Sequence, residues 1–130
     1  MILETTFLVD LLRGNQKAAE KLKYLQDLRT PLYIATPSIF ELWSGLIHAK
    51  KSEQEKRKIV EVLDSQFILD LTKEASIKAG KIDGQLVLEG KKIEPEDSMI
   101  AGIAITNHEK VLTRNTEHFM RVPGLIVERY

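Results

Sequence analysis

The chain reads as a single-domain α/β sandwich built on a mainly parallel sheet. Short apolar runs alternate along it with longer stretches of helical spacing, the pattern that crossover-connected parallel strands require. With 130 residues, 43% of them hydrophobic, it is one domain, residues 1–130, able to bury roughly two-thirds of its unfolded surface. No repeat, linker or low-complexity segment interrupts it.

The elements follow in order. Met1-Ile2-Leu3 is a strand, and Thr6 to Arg13 a short helix stopped by Gly14. Asn15 caps a helix to about Arg29 in which Ala18, Ala19, Leu22 and Leu25 recur at helical spacing. Leu32 to Ala35 is a strand after Pro31, and Thr36 or Ser38 caps a helix from Pro37 to about Lys50. Lys51 to Leu63 is a charged helix with Ile59, Val60 and Leu63 turned inward. Phe67 to Leu71 is a strand, and Thr72 caps a long helix to about Leu88, ended by Gly90. Pro95 opens a helix to about Thr106. Glu109 to Thr113 and Leu125 to Val127 are the last strands, and Phe40, Trp43 and Phe119 read as core.

Composition narrows the chemistry. The absence of cysteine excludes a disulfide framework, a thiolate nucleophile and a cysteine zinc site, and fits a reducing, cytoplasmic setting. His48, His108 and His118 have no i,i+4 pairing of the kind metals use, so any metal would be held mainly by oxygen, favouring Mg²⁺ or Mn²⁺ over zinc. Nineteen basic residues balance nineteen acidic ones, so net charge decides nothing about a nucleic-acid partner. No apolar run approaches the roughly 20 residues a membrane span needs, and the N-terminus does not read as a signal peptide.

Four polar residues sit at turning points of the chain: Glu4, Glu41, Asp97 and Asn115. Glu4 and Asn115 each end an apolar run. If those strands are parallel neighbours, both side chains emerge at the carboxyl edge, where ligands of open parallel sheets collect. Glu41 has Pro37, Ser38, Ser44 and Gly45 at helical spacing, a small-sided stripe that leaves it at the bottom of a groove. Asp97 shares a face with Ile100, Ala101 and Ala104, which must point at the core. A capping role at the positive end of its helix dipole suits it equally well. Glu94 and Glu96 read as capping and solvent residues, and Asp10 as a surface residue. Thr113 is placed to orient a carboxylate through its hydroxyl, and Glu117 is near enough for an outer ligand. Asn115 is also an ordinary turn residue.

In these blocks the chain resembles the PIN domains, specifically the VapC-type toxin ribonucleases of type II toxin–antitoxin pairs. Ile2 to Leu12, with Glu4-Thr5-Thr6, resembles the family's opening. Ser38-Ile39-Phe40-Glu41-Leu42-Trp43-Ser44-Gly45 is similar to its second acidic block, and Asp97-Ser98-Met99-Ile100-Ala101-Gly102-Ile103-Ala104 to its third. Leu112-Thr113-Arg114-Asn115, His118-Phe119 and Val122-Pro123-Gly124-Leu125 are similar to its tail. The resemblance implies a Mg²⁺- or Mn²⁺-dependent endoribonuclease in which Glu4, Glu41 and Asp97 hold the metal. Asn115 joins them as a catalytic-site residue, and Thr113, Thr6 and Glu117 support them. It implies an RNA substrate, a VapB-like antitoxin lying along the Glu41 helix, and a homodimer.

The chain departs from the family pattern at two positions. Glu4 stands where the family has Asp; its extra methylene moves the carboxylate by roughly 1.5 Å, which the near-octahedral demand of Mg²⁺ tolerates badly, implying reduced activity. Asn115 stands where many relatives have Asp, and removes a negative charge that a second metal would use. The competing reading is a PIN-like binding module without activity. A small phosphatase lacks its expected phosphate-cradling loop among the seven glycines.

Overall fold

The computed structural model describes all 130 residues. Five strands, β1 (Ile2–Leu3), β2 (Tyr33–Ala35), β3 (Phe67–Leu69), β4 (Val111–Leu112) and β5 (Val127–Glu128), form one sheet in the order β3-β2-β1-β4-β5. Every pairing is parallel. Seven helices connect them: α1 (Thr5–Leu12), α2 (Gln16–Asp27), α3 (Thr36–Gly45), α4 (Ser52–Ser65), α5 (Lys73–Leu88), α6 (Pro95–Thr106) and α7 (Thr116–Phe119). The chain builds outward from β1 to β3, then returns to lay β4 on the other side of β1. The β1/β4 boundary is therefore the point where strand order reverses, and a crevice opens there at the carboxyl ends.

Alternation across the sheet divides the core in two. Leu3, Ile34 and Leu112 face a layer holding Phe7 and Leu8 of α1, Leu25 of α2 and Ile59 of α4. Ile2, Ala35 and Val111 face Ala75 of α5, Ile100, Ile103 and Ala104 of α6, and Phe119. Helices α5 and α6 approach closely because Gly102 has no side chain: a Cβ there would lie 2.7 Å from the Ala75 carbonyl oxygen and 2.8 Å from Ala79 Cβ. Ser98 also donates to Asp83 across the pair at 2.9 Å, which fixes the first turn of α6.

Helices with clear ends form where the sequence puts them. Asn15 and Thr72 cap α2 and α5 through Ala18 N and Ala75 N, and α6 spans Pro95–Thr106. Gly14 and Gly90 stop their helices at φ of 73° and 69°, a region glycine enters without strain. Strands are shorter than their apolar runs, since only two or three residues of each find partners.

Several expectations are corrected. Neither Thr36 nor Ser38 caps α3; Thr36 Oγ1 accepts from Leu71 N instead, and α3 ends at Gly45 in a 3-10 turn, Leu46–His48. Phe40 and Trp43 are not core: they are 63% and 41% exposed, on the side of α3 away from its buried residues Pro37, Ser38 and Leu42. Val60 likewise faces water, because Ile59 takes the inward position on α4. Asp10 is buried rather than on the surface, drawn inward by two hydrogen bonds from distant residues.

Candidate active site

Because β1 and β4 run parallel side by side, Glu4 and Thr113 leave the sheet at the same edge. Glu4 is the N-cap of α1, and its Oε2 accepts three hydrogen bonds: from Thr6 N at 2.9 Å, Thr6 Oγ1 at 2.6 Å and Thr113 Oγ1 at 2.8 Å. Each hydroxyl also accepts a backbone N–H from the loop after β4, Arg114 N on Thr6 Oγ1 and Asn115 N on Thr113 Oγ1. Both hydroxyl protons are thus aimed at Glu4, and polarised toward it. Its other oxygen accepts no protein donor, and the protein leaves no such buried atom sealed from solvent.

Glu41 reaches the same crevice from α3. Thr5 Oγ1 lies 2.8 Å from Glu41 Oε1 and 2.9 Å from Ser38 Oγ, and its single proton belongs with the carboxylate. Asp97, buried in the first turn of α6, comes from the far side, with Oδ2 3.5 Å from His118 Nδ1. That ring nitrogen lies 2.8 Å from Asn115 Nδ2, so Asn115 and His118 form one polar wall beside Asp97.

These groups line one polar crevice of about 380 Å³. Burial raises the Glu41 carboxyl to about 7, helped by the charges of Glu4, Asp97 and Glu96 and opposed by the Thr5 hydrogen bond. Asp97 rises to about 6, first through burial and then through the charge of Glu4, against the pull of His118. Neither Glu4 nor Glu41 is paired with a lysine or arginine. An all-oxygen donor set carrying uncompensated charge suits a hard divalent cation. The carboxylates surround the crevice without closing into a preformed cluster of three donors.

Sequence reasoning missed part of this wall. Glu94 and Glu96, read as capping and solvent residues, line the crevice with Arg13, Arg114 and His118. Glu94 caps α6 without a side-chain hydrogen bond. The clustering of Glu94, Glu96 and Asp97 within four residues was the available signal. Glu117 is corrected in the opposite direction: it is exposed, pairs with Arg121 at 3.5 Å and does not line the crevice. A second, more apolar groove of about 460 Å³ runs beside α3 between Glu41 and Ile59, edged by Lys50 and Lys51.

The PIN domain family model matches residues 1–125. Ribonuclease VapC2 of Rickettsia felis is 30% identical over 97 residues, 75% of this chain and 72% of that protein. The tRNA(fMet)-specific endonuclease VapC of Salmonella typhimurium is 35% identical over 98 residues, 73% and 72% of the two chains. Among solved structures, VapBC2 from Rickettsia felis bound to a promoter DNA fragment superposes with a TM-score of 0.89 at 26% identity, covering 99% of this chain and 97% of that one. VapBC from Salmonella typhimurium, also bound to DNA, superposes at 0.88 and 24% identity, covering 98% and 96%, a likeness of fold.

Proposed function

The chain belongs to the PIN-domain family, of the VapC type, and from that premise we propose that it is a toxin endoribonuclease that hydrolyses RNA with a divalent metal ion. The observation that carries this reading is the meeting of Glu4, Glu41 and Asp97 in one crevice, with the Glu41 and Asp97 carboxyls raised to about 7 and about 6 and no lysine or arginine paired with Glu4 or Glu41. These three carboxylates would hold Mg²⁺ or Mn²⁺. Such an ion, held there, would supply neutralising charge for the scissile phosphate and would make water a better nucleophile.

The remaining work falls to the chain's own residues. Thr6 and Thr113 hold Glu4 Oε2 and leave its other oxygen without a protein donor. Thr5 fixes Glu41. Asn115 and His118 flank Asp97 and limit where its carboxylate can point. Incubation of the purified protein with RNA in Mg²⁺, Mn²⁺ or chelator tests the reading. Cleavage with either ion and none with chelator supports it, whereas cleavage undiminished by chelator refutes metal dependence.

One observation favours a second reading, a binding module with a weakened site. Glu4 spends one of its oxygens on capping α1 and on two threonines, so its longer arm is folded back toward its own helix. Calorimetric titration with Mn²⁺ separates the two, since a weakened site binds the ion poorly.

The similar solved structures include VapBC2 from Rickettsia felis and VapBC-1 from nontypeable Haemophilus influenzae, and the groove beside α3 would take a segment of a VapB-like antitoxin here. Exposed Phe40, Trp43 and Ile47 on α3 and its following turn lie outside the groove's lining and would supply further apolar anchors. We read the toxin as a homodimer by the same resemblance. A short upstream reading frame for a small DNA-binding protein is the expected genetic context.

A further inference from the structure

Asp10 is a 5% exposed carboxylate that the proposed chemistry does not use, and both of its oxygens are engaged. Arg114 Nη1 donates to Oδ1 at 2.8 Å, and the Tyr130 hydroxyl donates to Oδ2 at 2.6 Å. Tyr130 is held in turn by the fully buried Phe7, whose ring it meets edge-on at 4.8 Å and 82°. Burial and the Asp10 charge push its phenol above the ordinary range, so it stays protonated as a donor. The Arg114 guanidinium is the variable end of this clasp. Its side chain remains 58% exposed, and it lines the acidic crevice.

A crevice walled by Glu4, Glu41, Glu94, Glu96 and Asp97 repels a polyanion. Two permanently cationic side chains line it, Arg13 and Arg114, and Arg114 is the one that a buried carboxylate fixes in place. Its backbone N–H also bonds Thr6 Oγ1, the hydroxyl that grips Glu4, so one strand end sets the positions of both a carboxylate and a guanidinium. Asp10 takes one N–H of the five that a guanidinium carries, and the others stay available to a planar anion.

We propose that Arg114, positioned by Asp10 and Tyr130, binds a phosphate of the RNA backbone at the rim of the crevice. The inference rests on the ribonuclease reading and deepens it. Because Arg114 and Asp10 are a neutral pair, the contribution is a short-range, directional grip rather than long-range attraction. Arg114 is a substrate-binding residue, and Asp10 and Tyr130 are positioning residues.

The test uses the full chain and a labelled single-stranded RNA of mixed sequence, with binding read on the Asp97→Asn variant so that cutting does not intervene. Arg114→Ala is expected to raise KM and Kd about tenfold while kcat changes less than about twofold. It should also flatten the dependence of log Kd on log salt by about 0.7, one phosphate contact on a single strand. Arg114→Lys should keep that salt dependence and lose part of the affinity, because a point charge replaces the fork. On the Asp97→Asn chain, Asp10→Asn should raise Kd when Arg114 is present and add nothing when Arg114 is replaced by Ala, a non-additivity that simple loss of stability does not produce. Unchanged Kd and salt slope in Arg114→Ala, or Asp10→Asn effects that add fully to it, overturn the inference while leaving the ribonuclease standing. A wild-type protein that neither binds nor cuts RNA overturns both.

Discussion

Thr113, at the end of β4, donates its hydroxyl proton to Glu4 Oε2 at the end of β1, 2.8 Å away and 109 residues distant in sequence. The bond spans the strand pair at which the sheet reverses its order, and it joins the crevice carboxylate Glu4 to the loop carrying Arg114 and Asn115.

Replacing Thr113 by Val keeps the shape of this fully buried side chain and removes both the donor to Glu4 and the acceptor for Asn115 N. Stability should fall by about 1.5–3 kcal/mol, the range for a hydrogen bond to a charged group. Cleavage should fall more steeply than the folded fraction. Denaturant melts beside initial rates check this, and a full-rate, less stable variant contradicts a positioning role.

Glu4→Asp shortens the arm that now folds back on α1. Asp is the better N-cap, so stability should change by less than about 1 kcal/mol. Metal-dependent cleavage should rise several-fold, as the carboxylate meets the near-octahedral demand of Mg²⁺ with less strain. Initial rates across a Mn²⁺ titration decide it; a slower enzyme at saturating ion sinks the idea that Glu4 limits activity.

The raised carboxyls give stability a definite pH dependence. Glu41, held at about 7 against an ordinary 4.5, binds its proton more tightly in the folded chain than in the unfolded one. Its effect on stability is therefore most favourable below about pH 4.5 and declines as pH rises through about 7. Asp97, at about 6, acts in the same direction. In chelator, Glu41→Gln should remove part of the decline and gain on the order of 1 kcal/mol at alkaline pH, after discounting for screening of a half-exposed group. Mn²⁺ should reverse the trend, since it requires ionised carboxylates. Thermal melts with and without ion over this range check both signs. A chelated protein whose Tm rises with pH equally in wild type and variant contradicts them.

Gly102→Ala places a methyl 2.7 Å from the Ala75 carbonyl oxygen and 2.8 Å from Ala79 Cβ. Helices α5 and α6 must separate, at a cost of about 1–3 kcal/mol. Asp97 rides on α6, so cleavage should fall along with stability. A variant as stable as wild type would show that the helix contact yields more easily than its geometry indicates.

How much of this could be read beforehand depended on sequence distance. Helix α6 was legible to its ends because Pro95 fixes its first turn, and the starts of α2 and α5 because Asn15 and Thr72 cap them, although α2 stops at Asp27, short of Arg29. The acidic positions Glu4, Glu41 and Asp97 were legible because each stands beside residues that must be buried, and the crevice brings all three to its wall. Asp10 was not, since its partners Arg114 and Tyr130 lie 104 and 120 residues away. The single-turn α7 is too short to leave a periodic signal, which hid His118 beside Asp97. Phe40 and Trp43 were misjudged because hydrophobicity marks a face to be covered without saying that this chain covers it.

Asp97→Asn tests the central claim most directly. It keeps the size of the side chain while removing one of the three carboxylates that would hold the ion. Wild type should cleave RNA in Mg²⁺ or Mn²⁺, and the equally folded variant should be slower by about a hundredfold or more. Equal rates for the two proteins would contradict the metal-dependent nuclease outright.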